Sequence, residues 1–327
     1  MMDRRAFAGL AVTALLGPPS IALAQQMGKV SRIGALLPWD GPTPGDFAYL
    51  ESERPRLRAL GWVEGQNLFV ERRWAGFDPT HYRQVAAELK SLQVELIITT
   101  GTTAIRATRD GAPGVPIVMV NSSDPVAAGF AISLAHPGGD LTGTSAAGGE
   151  IIVKQLGLLL RVAPHAKKVT VLIGAARHDN GFSVDFLTAA VKPSGVKIEL
   201  VSVTRVEELD AAVARAKDGI LLVIHEPMFG PHFEQIAEQA IRAKVPAALP
   251  DPRFVRTGGL MSFVAPAMWH WEKSASYVDK ILRGAKPGDL PIEQPTQFDL
   301  AINLKTARAL GLTIPQSVLL LADEVIQ

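Results

Sequence analysis

The sequence has no cysteine, which excludes several kinds of chemistry at once. Without thiols the chain has no disulfide bond, no thiolate metal site, no cysteine nucleophile and no cysteine to carry a lipid anchor. Its seven histidines include no close pair with the spacing of metal ligands. We therefore expect neither a metal site nor a cofactor.

Motifs of common enzymes are also missing. The chain has no Gly-x-Ser-x-Gly elbow, and His225-Glu226 is not followed by the second histidine of a metalloprotease helix. Residues 143–149 have the glycine spacing of a phosphate-binding loop, but the lysine and hydroxyl residue that complete such a loop do not follow. The sequence therefore predicts a protein that is not an enzyme, with a flexible connection at 143–149.

The sequence also has no excess of positive or negative charge. The 33 lysines and arginines are interspersed with 32 aspartates and glutamates, and the formal net charge is +1. Nucleic-acid binding proteins carry basic runs or patches, and this sequence has none. We expect no nucleic-acid partner.

The only apolar run that resembles a membrane-directed segment lies at the start of the chain. Charged residues at 3–5 precede an apolar stretch at 6–16, and Ala22-Leu23-Ala24 forms a small-x-small cleavage motif. The apolar stretch is too short to span a bilayer. We read residues 1–24 as a signal peptide cleaved near Ala24, by the general or the twin-arginine route. The mature protein is predicted to be a soluble monomer in the periplasm.

Beyond that segment, apolar runs of strand length alternate with helical patterns. This alternation predicts parallel βαβ units, and 327 residues suffice for two cores. The predicted fold is α/β, with two doubly wound parallel-sheet lobes and a first hinge near 141–150. A first set of strands is predicted at 33–37, 68–73, 96–99, 117–120 and 141–145, with a short helix at 126–134. A second set is predicted at 168–173, 196–201, 220–224, 245–249, 260–263 and 298–302.

Hydroxyl and glycine residues follow two of the first-lobe strands. The strand at 96–99 runs through Gly101 into a helix that begins near Thr102 and Thr103, and the next strand runs into Ser122 and Ser123. Free amides at a helix start attract anions, so these residues are predicted to receive a ligand carboxylate. The alternative for Thr102 is a simple N-cap.

Two aspartates and one tryptophan have a structural and a ligand-binding interpretation each. Asp124 either caps the next helix or contacts the ligand, and Asp251 either caps a short helix or pairs with a ligand ammonium. Trp39 follows the first strand and either stacks on a flat ligand or packs in the core, and Asp40 after it is a predicted ligand residue. Further predicted ligand residues follow strands of the second lobe: Arg177, His178, Asn180, His225, Glu226 and Phe229.

Several separated motifs resemble one known family. They are Ser-Asp-Pro-Val at 123–126, His-Pro-Gly-Gly at 136–139, Leu-Thr-Gly at 141–143, the run from Tyr277 to Gly284, and the run from Ala301 to Ala307. In this order they resemble the ABC transporter substrate-binding family that includes tryptophan-binding TrpX-type proteins. The resemblance extends over nearly the whole chain after the signal segment.

The resemblance implies a type I periplasmic binding protein, in which three crossovers join two lobes that clamp a ligand. The implied first lobe is 28–145 with 264–295, and the implied second lobe is 146–263 with 296–327. The expected function is solute capture for an ABC importer by hinge closure, with a small carboxylate-bearing ligand and an inner-membrane permease as partners. The alternative is a periplasmic sensor subunit for a signalling receptor.

The chain departs from the family pattern where the cleft is expected. Residues 263–271 lack the tyrosine and glycine that many members carry, and the loops at 175–180 and 225–228 are not the commonest forms. A few loop side chains are enough to change specificity. The ligand is therefore predicted only as an amino acid or an aromatic acid.

Overall fold

The computed structural model describes residues 30–39, 41, 44–76, 78–174, 184–224 and 226–327. None of the helices in these ranges has both the length and the apolar character that crossing a bilayer requires.

The first part of the chain alternates strands and helices, as the sequence predicts. Its elements are β1 (Ser31–Leu37), α1 (Pro44–Ala59), β2 (Leu68–Trp74), α2 (Pro79–Ser91), β3 (Ile97–Thr100), α3 (Thr102–Gly111), β4 (Ile117–Ser122) and β5 (Leu141–Ser145).

These five strands form one parallel sheet in the order β2-β1-β3-β4-β5. The chain moves from β1 to β2 on one side and then crosses to β3 on the other side of β1, so the strand order reverses between β1 and β3. Open parallel sheets bind ligands at the carboxyl ends of the strands beside such a switch point. The turns after β1, β3 and β4 lie at this edge.

The second part repeats the alternation. Its elements are α4 (Gly148–Val162), β6 (Lys168–Gly174), α5 (Asp185–Val191), β7 (Lys197–Val203), α6 (Leu209–Ala214), β8 (Ile220–Val223), α7 (Phe233–Arg242), β9 (Ala247–Ala248), α8 (Pro252–Arg256) and β10 (Met261–Val264). The last elements are α9 (Ala267–Leu282), β11 (Asp299–Asn303), α10 (Leu304–Ala309), α11 (Gln316–Leu319) and β12 (Glu324–Ile326).

The second sheet has the order β12-β11-β10-β9-β8-β6-β7. All its neighbouring pairs are parallel except β10 with β11, which pair antiparallel. The sequence predicts parallel strands throughout, so β11 is a local difference. It arises because the chain, after α9, re-enters this sheet at the carboxyl end of β10, where Asp299 at the start of β11 pairs with Val264.

Core packing assigns α4 and α9 to different sheets. Leu156 and Leu159 of α4 pack with strands of the second sheet, whereas Trp271 and Val278 of α9 pack with strands of the first. The chain therefore passes between the sheets three times: after β5, after β10 and before β11. The residue limits of the two lobes stay a prediction.

The predicted helix at 126–134 is wrong. This segment forms consecutive turns, in which the amide of Phe130 donates to the carbonyl of Pro125 at 2.8 Å. Gly129 has a φ of 70°, in the left-handed region that ends a helix, and Phe130 is buried beneath two arginines of α3. Burial of this ring outweighs the helical pattern of the sequence.

Candidate functional site

The turn between β3 and α3 exposes helix amides. Gly101 is the N-cap residue, with a φ of 81° that glycine adopts without steric cost, and no side chain caps the helix. The first amides of a helix have no partner within it. Thr102 and Thr103, both half-buried, therefore begin α3 with amides directed at the edge of the sheet.

The turn after β4 has an unusual backbone. Asn121 has a φ of 58°, and the pairing of β4 with β5 shifts register between Met119 and Ser122. Asparagine tolerates the left-handed region better than most residues. Gly143 of β5 permits this close pairing, because a Cβ there would collide with the backbone of Met119. Ser122 ends β4 and Ser123 follows it, at the same edge of the sheet as the start of α3.

Three hydroxyls around these turns are buried without a partner. They belong to Thr99, Thr102 and Ser122, and the whole residues Thr99 and Ser122 are 0% exposed. An unpaired buried hydroxyl costs free energy, so native proteins have few of them. These three lie near the ends of neighbouring strands; the other buried polar atoms without a partner in the described residues belong to Ser31, Trp74, Arg106, Gln155 and Ser262.

Tryptophans flank the same edge. Trp39 after β1 is half-buried, and its ring centroid lies 6.4 Å from that of the buried Trp271. Trp74 ends β2, and its indole nitrogen is buried without a partner. Trp62 has a structural contact, donating to Asp279 at 2.9 Å. Trp39 therefore has an aromatic neighbour, Trp271, which favours the packing interpretation, and stacking of Trp39 on a ligand stays a prediction.

Asp124 forms a local cap. Its Oδ1 accepts the amides of Val126 at 3.1 Å and Ala127 at 2.9 Å, and the residue is exposed. The structure thus provides the structural alternative that the sequence left open for this residue, and ligand contact is not needed to explain it.

The corresponding edge of the second sheet is different. Asp251 caps α8 by accepting the amide of Arg253 at 2.8 Å, and its carboxylate also pairs with the guanidinium of Arg253 at 2.8 Å. Asp251 is 7% exposed, so this negative charge is buried and already balanced. The pairing favours the capping interpretation over a ligand ammonium.

Two further predicted residues of the second lobe are described. Glu226 is 7% exposed, and its Cγ lies 3.3 Å from the position that a Cβ on Gly174 would take at the end of β6. Phe229, in contrast, is fully buried in the core with Leu172 and Val223. The prediction that Phe229 lines the ligand site is therefore not met, because an aromatic residue after a strand serves core packing here. The predicted residues Asp40, Arg177, His178, Asn180 and His225 lie outside the described residues.

Both carboxyl edges adjoin the passages between the sheets. Two residues join β5 to α4, and two join β10 to α9, so each gap spans roughly 10 Å at most. His270 in the first turn of α9 contacts Thr144 near the end of β5. The polar turns of the first sheet and the end of β10 therefore lie in one region.

Sequence reasoning missed Thr144 and His270 in this region. The Nδ1 of His270 lies 3.0 Å from the Oγ1 of Thr144, which also accepts the amide of Asn121 at 3.1 Å. His270 is 2% exposed, and burial lowers its pKa from 6.5 to about 4. Their separation in sequence hides this contact, and only the asparagine before Ser122 signals an unusual turn.

Two sheets with these strand orders, joined by three passages, define the type I periplasmic binding protein class. A substrate-binding domain from Streptococcus pneumoniae in complex with L-Trp has a TM-score of 0.81 at 22% identity, covering 91% of this chain and 100% of that one. A substrate-binding protein with adhesive properties from Clostridium difficile, in a ligand-free, open structure, has a TM-score of 0.66 at 23% identity, with coverages of 91% and 99%.

Sequence comparison identifies the family. The chain belongs to the ABC transporter substrate binding protein family, whose model matches residues 54–326. It is also 24% identical over 258 residues to a tyrosine-binding protein of Clostridioides difficile (strain R20291), covering 78% of this chain and 74% of that protein. The family resemblance and the fold class predicted from the sequence are confirmed.

Proposed function

We propose that this protein is the exported solute-binding component of an ABC importer. It captures an amino acid or aromatic acid between its two lobes, closes around it and delivers it to a permease in the inner membrane. The observation that carries the proposal is the set of unpartnered hydroxyls of Thr99, Thr102 and Ser122 around the uncapped start of α3.

The ligand carboxylate lies at the start of α3 in this proposal. The amides of Thr102 and Thr103 and the hydroxyls of Thr102 and Ser122 donate to it, because charge-assisted hydrogen bonds to a carboxylate are strong in a dry cleft. Ser123 and Trp39 border the same place. We leave Asp124 and Asp251 out of the proposed ligand contacts because local amides and Arg253 engage them.

An aromatic amino acid is the ligand class we favour. One relative is named for binding tyrosine and one similar structure contains L-Trp. Trp39, half-buried after β1 beside the switch point, supplies an aromatic face for a ring.

A ligand panel tests this proposal. We expect L-tryptophan or L-tyrosine to raise the melting temperature and to decrease the radius of gyration in small-angle scattering, since a ligand stabilises the state that it binds best. The matching carboxamides should bind at least tenfold more weakly. If no amino acid or aromatic acid produced either effect, the proposal would be wrong.

A further inference from the structure

The hydroxyl of Thr144 connects the proposed ligand turn to α9. Its Oγ1 accepts the amide of Asn121 at 3.1 Å and lies 3.0 Å from the Nδ1 of His270. Thr144 is 0% exposed and His270 2% exposed, so water does not compete for these bonds. A single side chain thus joins the turn after β4, the last residues of β5 and the first turn of α9.

The backbone of the same turn is bound to the first passage between the sheets. The amide of Ala146 donates to the carbonyl of Ser122 at 2.7 Å, and the amide of Gly148 donates to the carbonyl of Ser123 at 2.9 Å. A Cβ on Gly148 would lie 2.9 Å from that carbonyl oxygen, so the approach requires glycine. Movement of the turn therefore moves the start of α4.

The third passage is attached to the same strand. Glu293 pairs with β5 through both backbone groups, donating to the carbonyl of Gly143 at 3.1 Å and accepting the amide of Ser145 at 2.9 Å. Its carboxylate accepts the Nζ of Lys273 at 2.6 Å and the hydroxyl of Tyr277 at 3.2 Å, both from α9. All three passages and the ligand turn therefore form one hydrogen-bonded assembly.

We propose that Thr144 and His270 are positioning residues, which hold the Asn121–Ser123 turn in its ligand-binding geometry and join it to the passages between the sheets. This inference rests on the proposed function. Neither residue needs to touch the ligand.

The physical reason lies in the backbone of Asn121. The left-handed conformation is unfavourable for a residue other than glycine, and the turn keeps it only where surrounding contacts fix it. The strand ladder cannot provide that contact, because the register shifts between Met119 and Ser122. The hydroxyl of Thr144 takes the place of the missing ladder bond, and His270 fixes that hydroxyl in turn.

Thr142 provides a matched control. It lies two residues before Thr144 on β5, is also 0% exposed, and donates its hydroxyl to the carbonyl of Leu290 at 2.8 Å, away from the ligand turn. Thr144→Val and Thr142→Val each remove one buried, hydrogen-bonded hydroxyl at constant shape. Both should destabilise the fold, and only the first should disturb the turn.

The experiment measures L-tryptophan and L-tyrosine binding by calorimetry, and amide hydrogen exchange of residues 121–123 without ligand. We expect Thr144→Val to bind about tenfold more weakly and to exchange faster at Asn121, because its amide loses its acceptor. Thr144→Ser, which keeps the hydroxyl, and Thr142→Val should stay within about twofold of the unmodified protein in both measurements.

Equal affinity and equal exchange in Thr144→Val and Thr142→Val would overturn the inference. If Thr144→Val does not fold, His270→Phe replaces it, since that variant retains the Thr144 hydroxyl but removes its second partner; unchanged exchange and affinity there would also overturn it. If the unmodified protein bound neither amino acid, the favoured aromatic amino-acid ligand would be wrong, whereas the exchange measurement would still decide the positioning role.

Discussion

The carboxyl edges of the two sheets differ in how their buried polar groups are paired. At the first sheet, the hydroxyls of Thr99, Thr102 and Ser122 are buried without partners. At the second sheet, the buried carboxylate of Asp251 accepts the amide of Arg253 and pairs with its guanidinium, and one hydroxyl, that of Ser262 in β10, is buried without a partner. Stability favours satisfied groups, so a cluster of unsatisfied ones indicates a place where a ligand completes the bonding. This clustering is why we propose the ligand site at the first sheet.

The largest expected effect concerns the buried histidine at the first edge. The pKa of His270 falls from 6.5 to about 4 on folding, because burial disfavours the charged ring. The folded state therefore loses stability as the pH falls from 6.5 to 4, by on the order of 3 kcal/mol. Urea denaturation across this range should show the loss in the unmodified protein relative to His270→Phe.

Glu53 on α1 should change the stability of the fold with pH in the direction opposite to His270. It accepts a hydrogen bond from Ser274 of α9, one turn beyond His270, and burial raises its pKa from 4.5 to about 7. Arg72 opposes this rise and Glu64 adds to it. Glu53 therefore lowers stability as the pH rises from 4.5 to 7. In Glu53→Gln, the free energy of unfolding should therefore fall more steeply as the pH falls from 6.5 to 4. An unchanged dependence of the free energy of unfolding on pH would contradict this role of Glu53.

The second prediction concerns Asp251, the paired carboxylate at the edge of the second sheet. Asp251→Ala removes the cap of α8 and the buried carboxylate that pairs with Arg253, which should lower the free energy of unfolding by about 2 kcal/mol. Affinity for L-tryptophan should change by less than about twofold, in line with a structural role.

Asp78→Ala is the matched control for this prediction. Asp78 also precedes a proline and accepts a helix amide, that of Thr80 at 2.9 Å, but it is exposed. Its loss should cost only about 1 kcal/mol. A large decrease in ligand affinity for Asp251→Ala at normal stability would instead restore Asp251 to the binding site and weaken the contrast between the edges.

The third prediction is smaller and separates binding from stability. Thr102→Val keeps the shape of the side chain but removes a buried hydroxyl that has no partner. Ligand affinity should fall about tenfold, because a donor to the carboxylate is lost. The melting temperature without ligand should stay unchanged or rise.

Thr108→Val on the same helix should behave in the reverse manner. Its hydroxyl donates to the carbonyl of Ala104 at 2.8 Å, two turns from the proposed site. Its removal should lower stability by about 1 kcal/mol with no effect on binding. If Thr102→Val destabilised the protein as much as Thr108→Val did, Thr102 would be a structural residue.

Much of the fold could be predicted from local patterns. The apolar runs before Thr100 and Ser122 and the helical patterns after them are properties of short segments, and the strands and α3 occur where these patterns predict them. The turn residues Gly101 and Thr102 were found for the same reason. The segment at 126–134 was mispredicted because burial of Phe130 under arginines of α3 depends on contacts that its own sequence does not contain.

The sequence by itself determined the class of protein: alternating strands and helices with polar turns after β3 and β4, and motifs of the substrate-binding family. The tertiary structure decided which polar groups are satisfied. Asp251 pairs with Arg253 two residues away, but the hydroxyl of Thr144 contacts Asn121 and His270 only after β4, β5 and α9 have packed together. Hydrogen bonds act over a few ångströms in space, so a bond between partners 126 residues apart cannot be predicted from the pattern of a short segment.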